Sequence, residues 1–271
     1  MSFIFRFIIL LFISSPIWAG FQQTERVEKD KGEKFIRGEK LIYKAHYGFL
    51  NAAEAVIHLD TNLYKVDKHT CYKVDIDAKT VGSFAFVYDV DNLYRSYIDT
   101  LEIIPHRFYR NISENKYKLE ETINFNHITE KAKVHQNKKG KIKEKEYEIP
   151  SHAQDIVSGY YYLRTVSFEG VAEGDTISMD AFFEDEAYDF KIIYLGKKVI
   201  RTKFGKVPSV ELAPIMPDNK IFRGENAIKF WISDDINRIP LKIRAKLFVG
   251  AFEVELSEYE GLKAEIGDRG K

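Results

Sequence analysis

The sequence has very little cysteine and no excess of either charge. One cysteine, Cys71, occurs in 271 residues, which excludes an intramolecular disulfide framework and a cysteine-based zinc cluster. Lysine plus arginine and aspartate plus glutamate number 41 each, so the chain lacks the positive field on which non-specific nucleic-acid binding depends. We therefore expect no nucleic-acid partner.

Long apolar runs are also missing after the first twenty residues. Those residues combine Arg6, the apolar run Phe7–Ile13, and Pro16 shortly before Ala19, an order typical of a cleavable secretory signal. The run is too short to cross a bilayer as a helix. We predict a signal peptide at residues 1–19, a periplasmic or secreted location, and no membrane span after cleavage. An uncleaved membrane anchor is the alternative.

Composition divides the rest of the chain into three parts. Residues 20–37 are polar with almost no apolar periodicity, so they cannot bury enough surface to offset their ordering entropy, and we predict a flexible leader. Residues 38–261 show no break in composition and predict a single β-rich domain. Residues 262–271 predict a polar, frayed tail.

Alternation of apolar and polar residues runs through most of the domain and is the signature of β-strands. The pattern predicts strands at 41–47, 53–59, 72–78, 84–90, 93–98, 103–110, 123–125, 131–135, 176–183, 189–195, 198–202, 207–213, 227–233, 241–249 and 251–259. Residues 152–166 instead carry apolar side chains at helical spacing, with Ser151 and Gln154 placed as in a capping box. We predict an all-β, mainly antiparallel fold, in which strongly curved sheets form a barrel-like sandwich with one central helix.

Catalytic motifs are absent from the sequence. It contains no phosphate-binding glycine loop, no pair of histidines at helical spacing and no nucleophile elbow. Five histidines fall in or beside predicted strands, where a β-scaffold could gather them around a metal: His46, His58, His106, His127 and His135. Scattered strand histidines are more often structural, so we predict no catalytic residues, no metal site and no cofactor.

Tyrosine and phenylalanine are abundant, with 16 and 20 residues. A tyrosine combines an apolar ring with a polar tip, so tyrosines suit clefts that hold amphipathic ligands. Three consecutive tyrosines in the predicted helix, Tyr160, Tyr161 and Tyr162, are our cleft candidates. The alternative is that these rings only fill the core.

Three segments resemble the bacterial domain-of-unknown-function family 3108. Residues 230–240 (FWISDDINRIP), with the strands that follow, look like its C-terminal signature. Residues 38–43 (GEKLIY) are similar to its opening hairpin, and residues 155–164 are similar to its central helix. The resemblance implies an exported, mainly antiparallel β-protein of the Gram-negative envelope and supplies no catalytic residue. The chain lacks a lipid-anchor cysteine, which leaves outer-membrane attachment open.

The loop in the C-terminal signature is a candidate ligand or partner site, formed by Trp231, Asp234, Asp235 and Arg238. Its structural interpretation is a hairpin clasp in which the Arg238 guanidinium holds Asp234 or Asp235. A cation-binding loop is a further alternative, because aspartate and asparagine oxygens suit hard cations.

Together these observations predict an exported periplasmic or cell-envelope protein that is not an enzyme and that either binds a ligand or supports the envelope. Its ligand would be lipid-like or an envelope glycan, and its partner would be an envelope protein. The alternative is an envelope-remodelling hydrolase whose site is not visible in the sequence. A third interpretation is an interaction module that presents a sheet edge to a partner.

Overall fold

Regular structure in the computed structural model consists of fourteen strands and two helices among the described residues, 34–215, 226–247 and 250–268. The strands are β1 (Lys40–Tyr47), β2 (Leu50–Val66), β3 (His69–Thr80), β4 (Asp91–Asp99), β5 (Pro105–Glu114), β6 (Tyr117–Asn126), β7 (Lys131–Lys138), β8 (Lys141–Glu148), β9 (Thr176–Phe183), β10 (Glu186–Thr202), β11 (Gly205–Pro214), β12 (Ile228–Ser233), β13 (Pro240–Lys246) and β14 (Ala251–Glu260). The helices are α1 (Ser83–Val87) and α2 (Ile156–Leu163). The predicted signal peptide and most of the predicted leader lie outside the described residues.

All the strands belong to one antiparallel sheet. Its order is β8-β7-β6-β5-β4-β3-β2-β1-β14-β13-β12-β11-β10-β9, so nearly every strand pairs with its neighbours in sequence and β1 pairs with β14. The prediction of a mainly antiparallel β fold is therefore confirmed. The predicted sandwich is wrong, because the pairing of β1 with β14 joins the two halves of the chain into a single sheet.

The sheet curls back on itself without closing. Its end strands, β8 and β9, are thirteen strand spacings apart, which is roughly 60 Å in a flat sheet. Lys143 in β8 nevertheless lies 3.0 Å from Asp185 in the turn after β9. Gln154 also adds a short parallel bridge to β9, through bonds from its amide to the Asp180 carbonyl and from the Phe182 amide to its own carbonyl, both 2.8 Å. The β7–β8 hairpin forms one edge of the sheet, and almost all of β8 is exposed to solvent.

Both helices differ from prediction. Residues 83–87 form α1 where a strand was predicted, because the apolar residues there imitate strand alternation, although Phe86 and Val87 are exposed. Helix α2 starts at Ile156 and not at His152. Its N-cap is Asp155, whose carboxylate accepts from the amides of Val157 and Ser158, so Ser151 does not cap the helix. Neither helix of the described chain is long and apolar enough to cross a membrane.

The packed structure extends beyond the predicted domain bounds. Phe35, placed in the leader by the sequence pattern, is buried with its ring 4.8 Å from that of Tyr161 in edge-to-face contact. The amides of Lys263 and Gly267, in the predicted frayed tail, donate hydrogen bonds to Asn237 and Asp235. These contacts show that residues on both sides of 38–261 are part of the fold.

Candidate functional site

An apolar cavity of ≈170 Å³ lies between helix α2 and the inner face of the sheet. Its wall comes from strands near both ends of the chain, which the β1–β14 pairing brings together. The lining residues are Tyr43, Ala55, Ile57, Ile76, Ala78, Tyr94, Ile156, Tyr160, Leu163, Phe230, Pro240, Ile243 and Val254. No residue in this set is charged, so the wall offers an apolar group a dry environment.

Small side chains explain why the space beneath the helix is not filled. Ala55 in β2 is the register partner of Ala78 in β3, and it also pairs with Tyr43 in β1. Two alanines therefore meet where larger residues would have filled the space against α2. Packed interiors leave few voids larger than a water molecule, so a cavity of this size is a specific feature of the fold.

Asp155 fixes the start of the helix over the cavity. Its Oδ1 accepts hydrogen bonds from the amides of Val157 and Ser158 at 2.7 and 2.8 Å, and its Oδ2 accepts one from the Ser96 hydroxyl in β4 at 2.6 Å. Burial raises the pKa of Asp155 to about 6, although these hydrogen bonds lower it. The carboxylate thus joins the helix to the sheet at a cost in desolvation.

Arg164 fixes the other end of the helix. Its guanidinium donates to both carboxylate oxygens of Glu39 at 2.6 and 2.7 Å, and its Nε donates to the Asn237 carbonyl. Both members of the ion pair are buried. The helix is therefore held against the segment before β1 and the loop after β12.

Two of the three tyrosines in the cavity wall, Tyr43 and Tyr160, have hydroxyls that bond to each other. The Tyr43 hydroxyl donates to the Pro240 carbonyl at 2.9 Å and lies 3.1 Å from the Tyr160 hydroxyl. Because Tyr43 has only one proton to donate, Tyr160 must donate to Tyr43, and the Tyr160 oxygen remains an acceptor. Burial raises the pKa of both hydroxyls, so both stay protonated.

The three tyrosine candidates have different surroundings. Tyr160 lines the cavity. Tyr161 is fully buried, and its hydroxyl donates to Glu39 at 3.1 Å, so it stabilises the carboxylate of the Arg164–Glu39 ion pair. Tyr162 packs between two parts of the core and is not in the cavity wall. Adjacent residues of a helix point in different directions, so the three tyrosines cannot all face one cavity. A run of three tyrosines does not by itself show which of them does.

The loop after β12 holds the C-terminal segment. Asp235 is buried and accepts from the Ser233 hydroxyl and from the amides of Asn237, Arg238 and Gly267. The Arg238 guanidinium donates to the Val166 carbonyl at 2.7 Å, so the expected side-chain clasp of Asp235 is wrong.

The other two residues of the candidate loop site lie at its periphery. Asp234 pairs with Lys197 at 3.0 Å; the lysine side chain is exposed and the aspartate side chain is half-buried. Trp231 is half-buried within β12. These contacts give the loop a structural role.

Of the five histidines singled out in the sequence, the structure brings His106 and His127 together, with ring centroids 5.7 Å apart. His46 and His58 lie in β1 and β2. His135 bonds to Glu144 on the solvated hairpin. The sequence analysis did not single out His69, whose ring stacks on that of His106 at 3.7 Å.

Comparison with known proteins identifies a family and a fold. The model of the family described as "Protein of unknown function (DUF3108)" matches residues 42–257. No curated protein matches the chain. A solved structure described as a β-barrel-like protein of domain of unknown function DUF1849 from Brucella abortus is 11% identical, with a TM-score of 0.53 over 84% of this chain and 100% of that chain.

Proposed function

This chain belongs to the DUF3108 family, and we propose that it is an exported, non-enzymatic protein that binds the apolar part of a lipid-like molecule in the cavity beneath α2. The observation that carries the proposal is the cavity wall, which contains thirteen residues and no charged group. Covering exposed apolar surface with an apolar ligand is favourable, so a cavity that the protein's own side chains do not fill favours binding of such a ligand.

The size and chemistry of the cavity favour a lipid-like ligand over a glycan. An apolar cavity of about 150 Å³ accommodates a molecule the size of benzene, so ≈170 Å³ suits an apolar group of about six to eight carbon atoms. A sugar would bury several hydroxyls against a wall whose polar side chains are those of three tyrosines. Unpaired buried hydroxyls are costly.

Export is the second part of the proposal and depends on the first nineteen residues. Their single basic residue, short apolar run and small residue at position 19 have the order of a secretory signal. An envelope compartment would also supply lipid-like molecules. Recovery of chains that begin at Gly20 from a periplasmic fraction would support this part, and recovery of full-length chains from the inner membrane would contradict it.

The binding experiment uses two alanine-to-phenylalanine variants and the fluorescent apolar probe N-phenyl-1-naphthylamine, whose phenyl ring is a six-carbon group of the size that the cavity suits. Ala78→Phe places a ring into the cavity wall, so we expect the affinity for the probe to fall by about tenfold or more. Ala187, an exposed residue of β10, supplies the matched control Ala187→Phe, which should bind as the unchanged chain does. Melting temperatures of all three proteins establish that each is folded.

Ala55→Leu provides a smaller filling change if Ala78→Phe does not fold. Equal probe affinity in the unchanged chain and in a folded cavity-filled variant would overturn the proposed site. Loss of binding in both filled variants, with retention in Ala187→Phe, would support it.

A further inference from the structure

Three side chains from separate strands converge at one end of the sheet, away from the apolar cavity. His69 is the first residue of β3, Asp99 is the last of β4, and His106 is the second of β5. The β3–β4 register places Cys71 opposite Asp99, and the short β4–β5 connection returns the chain to His106. Sheet pairing therefore brings together residues that have no regular spacing in the sequence.

The two imidazoles face the same carboxylate oxygen. His69 Nδ1 and His106 Nε2 lie 3.3 and 3.4 Å from Asp99 Oδ2, and the three ligand atoms all lie within 4.8 Å of one another. Both contacts are longer than ordinary N–H···O bonds of about 2.7 to 3.2 Å. The two distances match the spacing of about 3.3 to 3.4 Å between neighbouring ligand atoms in a tetrahedral zinc site.

Backbone amides hold the other oxygen of the Asp99 carboxylate. Its Oδ1 accepts the amides of Leu101 and Glu102 at 2.8 and 3.0 Å, which leaves Oδ2 directed at the histidines. The carboxylate is therefore oriented, as a metal ligand requires.

We propose that His69, Asp99 and His106 bind one divalent ion of the zinc type. Two imidazole nitrogens and one carboxylate oxygen are a ligand set that first-row ions such as Zn²⁺ and Co²⁺ accept. The three residues also line a polar cavity of ≈550 Å³. A fourth coordination position that faces this cavity has room for water or an anionic ligand.

His127 forms another part of that cavity wall. Its Nε2 donates to the Pro105 carbonyl at 2.6 Å, and its ring centroid lies 5.7 Å from that of His106. The apolar cavity and the metal site share no lining residue, so the two proposals can be tested separately.

The test titrates the full chain, stripped with a chelator and dialysed, with Zn²⁺ alone by calorimetry, and with Co²⁺ by visible absorption. We expect one ion per chain. Loss of a residue that only hydrogen-bonds a metal ligand costs about 10- to 100-fold in metal affinity. Asp99→Asn and His106→Ala each alter a ligand itself and should weaken binding by about 100-fold or more. His135→Ala, which removes an exposed histidine from β7, should bind as the unchanged chain does.

His69→Ala decides the matter if His106→Ala does not fold, because His69 is exposed and its removal leaves no buried cavity. Absence of Zn²⁺ binding in the unchanged chain would overturn the proposal. If folded His69→Ala and Asp99→Asn bind Zn²⁺ as tightly as the unchanged chain does, the proposal is overturned as well, because the ion would then lie elsewhere.

Discussion

Arg164 and Glu39 form a buried, two-armed ion pair that connects the end of helix α2 to the segment before β1. Removing one partner leaves a buried charge without compensation, which costs about 3 to 5 kcal/mol. We therefore expect Arg164→Met and Glu39→Gln to lower the free energy of unfolding by that amount in urea titrations. Since α2 covers the apolar cavity, both variants should also weaken probe binding.

The double variant Arg164→Met/Glu39→Met should be closer in stability to the unchanged chain than Arg164→Met is, because no unpaired charge remains buried. Lys131 and Glu146 form an exposed pair at 2.7 Å, and Lys131→Ala should leave the free energy of unfolding nearly unchanged. A similar cost for Arg164→Met and Lys131→Ala would show that the buried pair does not hold the helix.

Asp155 gives stability a specific dependence on pH. Its folded-state pKa of about 6 exceeds the value of about 3.9 for an unfolded chain, so the folded chain binds more protons between these values. The contribution of Asp155 to stability therefore falls as pH rises through this window and is largest below about pH 4. Between pH 7 and pH 5 we expect it to add about 1 kcal/mol.

Asp155→Asn isolates this effect, since asparagine can still accept the amide bonds of the helix cap. The gain in unfolding free energy between pH 7 and pH 5 should be smaller in this variant by about 1 kcal/mol. An identical pH dependence in both proteins would show that Asp155 is not protonated in this range.

Asp235 and Asp234 are adjacent in sequence but should respond differently to removal. Asp235→Ala leaves several buried donors unpaired, including the Gly267 amide, so we expect a loss of about 2 to 3 kcal/mol. The Gly267 amide should also exchange its hydrogen faster. Asp234→Ala removes an ion pair with the exposed Lys197 side chain and should cost less, about 1 kcal/mol. Unchanged stability with lost probe binding in Asp235→Ala would assign the loop to ligand binding instead.

The hydroxyl arrangement in the cavity predicts a preference among ligands. Tyr160 offers an acceptor, and the nearby Arg164 cation is occupied by Glu39, so a carboxylate headgroup would be left without a partner. We expect 1-octanol to displace the fluorescent probe at lower concentration than octanoate does, at a pH where octanoate is ionised. Equal or stronger competition by octanoate would contradict this assignment of the hydroxyl protons.

Local patterns predicted most of the strands, because each strand buries one face and therefore alternates in sequence. The pairing of β1 with β14 was not predictable in this way, and it decides that Tyr43 and Val254 share a cavity. The sequence pattern favoured Ser151 as the helix cap, whereas the structure gives that role to Asp155, whose carboxylate also accepts a hydrogen bond from Ser96 in β4. The meeting of His69 with Asp99 likewise depends on register across three strands, which no spacing in the sequence records.

The most direct test of the account is a methyl NMR titration of the chain with 1-octanol. Bound ligand should shift the methyl signals of Ile57, Ile76, Ile243 and Val254, which line the cavity, and leave that of Ile142 on the exposed β8 hairpin unchanged. Unmoved signals from the four cavity residues at ligand concentrations that displace the fluorescent probe would contradict the proposal, because binding would then occur elsewhere.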